Sequence, residues 1–283
     1  MFVRWVAPGA TLRTNTPRNY TPQMSASAIT ALQSEITRAR GLMESLSPAE
    51  WSAASGCTDW SVQDVICHMA SVFHSIADPT TIEGGTSPDV ERNAEVPVQA
   101  RRSWTAAQVV AEYHEWAEKG LAALTALQSP PMADTVIPLA NLGSHPMHLL
   151  GNAIVFDHYC HLRHDIGHAI DRASEMPHDP EALAATLEWM LAGLPQMCGS
   201  ALSECTQGVN LSFRGPAAGD YAVTPGTPLW SVTPGSNPAF PTAVTTAHSF
   251  VSWATKRADW RDSVTVRGDA VSAAPTLDAL NII

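Results

Sequence analysis

The sequence predicts an α+β fold: an all-helical part over residues 24–205, followed by a small α/β part over 206–283. Three observations predict it. Apolar residues recur at three- and four-residue steps from Ser25 to about Leu202. Beyond residue 207 the pattern changes to short alternating runs divided by Gly and Pro. No long flexible linker separates the two stretches, so they are expected to pack together.

The first helix is expected from Ser25, with Ile29, Leu32, Ile36, Leu42, Met43 and Leu46 as its apolar stripe, and Ser47-Pro48 ends it. After a loop with Gly56 and Thr58-Asp59, WSVQDVICHMASVFHSIA reads as a second helix. Ser61 is its N-cap and Asp64 stands at the capping-box position. Residues 79–100 show little periodicity and are expected as a long loop. A third helix runs from Trp104 to Leu127, and the Pro130-Pro131 pair stops it. A fourth is expected from Pro146 to Ala173. A fifth starts at Asp179-Pro180-Glu181 and continues to about Leu202. In the last part, VNLSF and SVTVRGD read as strands, and GPAAGDYAVTPGTPLWSVTPG as short β-runs between turns. TAHSFVSWATKR and APTLDALNII read as short helices.

The composition narrows the function. With 45% hydrophobic and 15% charged residues, 283 residues can bury a substantial core. A net charge of -11 excludes a nucleic-acid binder, which needs clustered Lys and Arg, and gives no attraction to anionic membranes. No apolar run has the length of a membrane span. Five cysteines, an odd number without CxxC spacing, suit a reducing compartment, and a cytoplasmic location is expected. Residues 1–23 lack both periodicity and a continuous apolar stretch. They are expected to be a disordered lead-in, with Met24 as an alternative start.

One segment stands out chemically. FDHYCHLRHDIGHAI, residues 156–170, holds four histidines and two aspartates, in a chain with only 11 histidines. On a regular helix, Asp157, His161, His164 and His168 fall within a stripe roughly 60° wide. His158 and Asp165 sit at its edge or beyond. A carboxylate and an imidazole four residues apart can offer two ligands to one metal. A catalytic site needs a third ligand, and His68 of the second helix, among Val65, Ile66, Met69 and Val72, is the best candidate. Asp64, one turn earlier, is expected to orient its ring. The competing reading makes His68 a hydrogen-bonded core residue, and His164, His168 and Asp165 a solvated helix end. His145 and His148 are expected near the helix start or at the surface. Cys67 and Cys160 are expected to fill core volume.

These residues also carry a family resemblance. GCTDWSVQDVICHMASV resembles the second-helix motif of the mycothiol-dependent maleylpyruvate isomerase family, within the DinB/YfiT-like four-helix-bundle superfamily. The matching positions are Trp60, Ser61, Val62, Asp64, Val65 and His68. Asp157 and His161 match the spacing of the family's second hallmark, a carboxylate followed four residues later by His. FVSWATKRADWRDSVTVRGDAVSAAPTLDALNII is similar to the family's sterol-carrier-like C-terminal domain. The resemblance thus spans about residues 24–283.

The resemblance implies a divalent metal, commonly zinc, on His68, Asp157 and His161. It also implies a thiol cosubstrate, mycothiol in actinobacteria, whose metal-bound thiolate attacks the substrate. Asp157 stands where the isomerase has Glu. His164 and His168 form an HxxxH pair that offers an alternative three-histidine site. The family also implies a C-terminal arginine at the site, for which Arg257, Arg261 and Arg267 are candidates. The expected activities are isomerisation or thiol S-transfer on a small-molecule substrate, by a monomer or homodimer. The reading from another class is a non-catalytic protein that binds a metal or an apolar ligand.

Overall fold

The structure is a computed structural model that describes residues 22–282. The expected lead-in falls outside the described residues up to position 21. Its last two positions open α1 (Pro22–Ser45), so the helix starts slightly before Ser25. α2 (Val62–Ala77) starts as expected. The Ser61 side chain accepts from the Asp64 N–H, and the Asp64 carboxylate accepts from the Ser61 N–H at 2.9 Å and from its hydroxyl at 2.8 Å. Asp64 therefore caps the helix instead of orienting His68, and its other oxygen faces Arg102 at 3.6 Å.

The expected loop over 79–100 contains a helix, α3 (Val90–Arg101). Asp89 caps it, and Val90, Ala94 and Val98 form a buried stripe at four-residue spacing. Pro97 and four charged residues mask that stripe in the sequence. α4 (Ala106–Ala126) is capped by Thr105 and Gln108. It lies so close to α2 that a Cβ on Gly120 would come within 2.9 Å of the Phe73 Cβ, a contact only glycine permits.

α5 (Leu149–Cys160) and α6 (Pro180–Met197) complete the helical part, α6 being capped by Asp179 as expected. The helix expected over 146–173 is not continuous. Ser144–Pro146 pairs with Val136–Pro138 in a small antiparallel hairpin. After Cys160 the chain widens into a π-turn, His161–Asp165, tightens into a 3₁₀ turn, Ile166–His168, and then turns into Asp171–Ser174. The physical reason lies in Arg163. It is fully buried, pairs with Glu35 of α1 at 2.8 and 3.0 Å, and donates to the Pro177 carbonyl at 2.8 Å. His145 and His148 are buried, not at the surface. Their rings bond the carbonyls of Leu142 and Ala133, each at 2.8 Å.

The C-terminal part is a five-stranded sheet: β1 (Val209–Arg214), β2 (Gly219–Thr224), β3 (Ser231–Pro234), β4 (Thr242–Thr246) and β5 (Thr265–Arg267). Their order is β3-β2-β1-β4-β5. β1 is central, antiparallel to β2 and parallel to β4. α7 (Ala247–Ala254) follows β4 without a break, and α8 (Ala270–Ala279) follows β5. β4 escapes the sequence reading because its alternating run merges into the helix after it.

The two parts share one core, in which Trp189 of α6 and Trp253 of α7 are both almost wholly buried. Tyr159 of α5 meets His248 of α7, hydroxyl to Nδ1, at 3.0 Å. Among the described residues, no helix is long and apolar enough to cross a membrane.

The Arg163–Glu35 pair has no exposure on either side chain. Removing one partner leaves an uncompensated buried charge. Glu35→Ala is therefore expected to lower stability by about 3–5 kcal/mol. Denaturant unfolding checks this, and a loss below about 1 kcal/mol, the size of a surface pair, would contradict it.

Candidate metal centre

A cleft of about 1460 Å³ opens between the helical part and the end of α7. His68, Asp157 and His161 line it from the helical side, and Thr255, Lys256 and Arg257 from the other. His68 stands in the second turn of α2, Asp157 in the last turn of α5, and His161 at the first position of the π-turn.

The Nε2 of His68 lies 3.1 Å from Asp157 Oδ1, and the Nε2 of His161 lies 3.5 Å from the same oxygen. The two imidazole centroids are 4.9 Å apart. One ligand atom from each of the three residues lies within 4.8 Å of the others. Asp157 Oδ2 is buried without a well-formed hydrogen bond, its neighbour being His158 Nδ1 at 3.4 Å. Two imidazole nitrogens and a carboxylate oxygen converging this closely, with the second carboxylate oxygen only weakly partnered, are a donor set that fits a divalent cation. The Trp60 ring lies 5.3 Å from the His68 ring and donates its N–H to Glu95 at 2.6 Å.

Burial pushes the His68 ring below its usual pKa, against the pull of Asp157, and so favours the neutral form a metal needs. Burial acts the same way on His161. There the carboxylates of Asp157 and Asp165 prevail and raise it well above the usual range. Burial would raise Asp157, yet His161 and His68 hold it well below the ordinary carboxylate value.

Asp165, placed by the sequence at the edge of the stripe or beyond, is wholly buried and central. Its Oδ2 accepts from His161 Nδ1 at 2.7 Å. Arg257 donates to it through Nε and Nη2, each at 2.8 Å. Of the three candidate arginines, the structure brings only Arg257 to the cleft. Arg261 pairs with Asp278 at 2.8 Å, and Arg267 is exposed on β5.

The π-turn breaks the stripe that was expected to align His164 and His168 with His161. His164 stacks on His248 at 4.7 Å between centroids, and burial pushes it down to about 3. His168 is exposed. Neither joins a potential ligand group among the described residues.

Cys57 does join one, with His161 and Asp165. In that group Asp165 is already occupied by His161 and Arg257, so the His68, Asp157, His161 group is the one with free coordinating capacity. Cys67 and Cys160 are buried, and burial pushes both thiols up to about 12. The sequence reading gave Cys57 no part. The Asp157, His161, Asp165 run at four-residue steps was the signal that could have drawn attention to Asp165.

Residues 32–166 match the family described as mycothiol maleylpyruvate isomerase N-terminal domain. Two solved structures resemble the chain over most of its length. One is a crystal structure of mycothiol-dependent maleylpyruvate isomerase carrying a histidine-to-alanine mutation. It has 14% identity and a TM-score of 0.55, covering 86% of this chain and 92% of that one. The other is a crystal structure of mycothiol-dependent maleylpyruvate isomerase, with 13% identity, a TM-score of 0.54 and the same coverage. At such identity the likeness establishes the fold. No curated protein matches the sequence. The family match thus covers residues 32–166, just under half of the chain, and over most of its length the chain has the fold of the two mycothiol-dependent maleylpyruvate isomerase structures.

Proposed function

We propose that the chain is a metal- and mycothiol-dependent enzyme that adds a thiolate to an unsaturated or electrophilic small molecule. His68, Asp157 and His161 hold the cation, for which zinc is the leading candidate. The observation that carries this reading is the convergence of three ligand atoms within 4.8 Å on a cleft. A divalent cation bound there would keep a coordinating thiol deprotonated, and the thiolate is the nucleophile.

The remaining roles fall to the chain's own groups. His68 and His161 come from different helical elements, so the site depends on the packing of α2 against the end of α5. Aspartate is one methylene shorter than glutamate, so a cation on Asp157 would have to lie closer to α5 than one on a glutamate at that position. Asp165 occupies two nitrogens of Arg257, Nε and Nη2, which leaves Nη1 for a substrate carboxylate or a developing enolate. A cytoplasmic location is part of the same proposal, in keeping with five free cysteines.

Metal analysis of the purified protein tests the site. About one divalent ion per chain is expected, lost in both His68→Ala and His161→Ala. Retention of the ion in both variants would remove these residues from the site. Turnover of maleylpyruvate with mycothiol, compared with conjugation of a generic electrophile, separates isomerase from S-transferase; neither activity with metal present would end the enzymatic reading.

The raised pKa of His161 gives a pH dependence. Without metal the ring keeps its proton at neutral pH, and a metal must displace that proton to bind. Zinc affinity is therefore expected to rise with pH through neutrality, with about one proton released per ion. Calorimetry in buffers of different ionisation enthalpy measures the release, and an affinity independent of pH would contradict it.

A further inference from the structure

We propose that Asp165 is a positioning residue that sets His161 and Arg257 together, so that the arginine tunes metal affinity at a site it does not touch. This rests on the metal site proposed above. Asp165 is held from three directions, two at its carboxylate and one at its backbone. The π-turn turns it toward the His161 ring, to which it is bound at 2.7 Å. Arg257 grips both its oxygens. From the loop before α2, the Gly56 N–H donates to the Asp165 carbonyl at 2.8 Å. A Cβ at Gly56 would lie 3.1 Å from both the Asp165 Cα and its Oδ1, so a larger residue would press on the carboxylate itself.

Each contact has a consequence. The bond from His161 Nδ1 keeps the ring's proton on that nitrogen and leaves Nε2, the atom nearer Asp157, as the metal donor. Arg257 in turn fixes the plane of the carboxylate. Without its fork, Asp165 can rotate off the imidazole, and His161 loses its preset orientation. The arginine is itself anchored. Lys256 before it adopts a positive φ of 61°, unusual for a side chain of this kind, and the Arg257 N–H donates to the Ser252 carbonyl at 2.9 Å. The loop after α7 is thus built to bring a guanidinium to a residue on the far side of the cleft.

The test is zinc affinity of the full chain, measured by competition with a chromophoric chelator, for wild type, Asp165→Asn, Arg257→Gln and the double variant. Asp165→Asn is expected to weaken zinc binding about 10–100-fold, the effect of losing the outer partner of a ligating histidine. Arg257→Gln, with all three proposed ligands intact, is expected to weaken it several-fold. The double variant should bind no more weakly than Asp165→Asn alone, because both changes act through one carboxylate.

Wild-type affinity in Arg257→Gln, or effects that simply add, would overturn the proposal. If Asp165→Asn fails to fold, Arg257→Gln still decides, since its side chain is 28% exposed and tolerates replacement better. A wild-type protein without tight zinc binding would sink the metal site and this inference with it. Tight wild-type binding that is indifferent to Arg257 would sink this inference alone.

Discussion

The buried ion pair between Arg163 and Glu35 is the interaction on which the site depends. It joins α1 to the turn after α5 across 128 positions of sequence. Because Arg163 must reach Glu35 and the Pro177 carbonyl, the chain leaves the α-helix after Cys160 and widens into a π-turn. Such turns are rare and often stand at functional sites. Here the turn separates the chemistry-bearing side chains into two sets. His161 and Asp165 face the cleft and each other. His164 also lines the cleft, but its ring stacks on His248 of the C-terminal part.

From that turn the rest of the arrangement follows. Asp157 meets the His68 of α2 on one side and His161 on the other. Asp165 extends the line to Arg257, so one row of polar contacts runs from α2 through the end of α5 to the C-terminal part. Asp165 is fully buried and Asp157 largely so, and each is held ionised by cationic or histidine neighbours. Burial without those neighbours would favour the protonated acids and remove both the candidate ligand and the link.

The three residues of the candidate ligand group, which the structure brings together, were legible in the sequence because their signals are local. Asp157 and His161 are four residues apart on one helix, and His68 sits among apolar neighbours in a strongly capped one. The Asp165–Arg257 link was not legible, since it depends on a turn dictated by a partner far away in sequence. The same limit bears on His164 and His168: their alignment with His161 assumed a regular helix, and the chain there is a π-turn. α3 was hidden for a different reason. Pro97 and the charges around it conceal a buried stripe that only the packed fold reveals. The helical and sheet parts themselves were readable from the switch of hydrophobic period near residue 207.

The central claim is that two imidazoles and one carboxylate form the metal site, with Cys57 near it but outside it. X-ray absorption spectroscopy of the zinc-loaded protein, prepared without added thiol, tests that claim most directly. The account predicts a first shell of nitrogen and oxygen with two histidine rings and no sulfur. A sulfur in that shell would place Cys57 on the metal and contradict it.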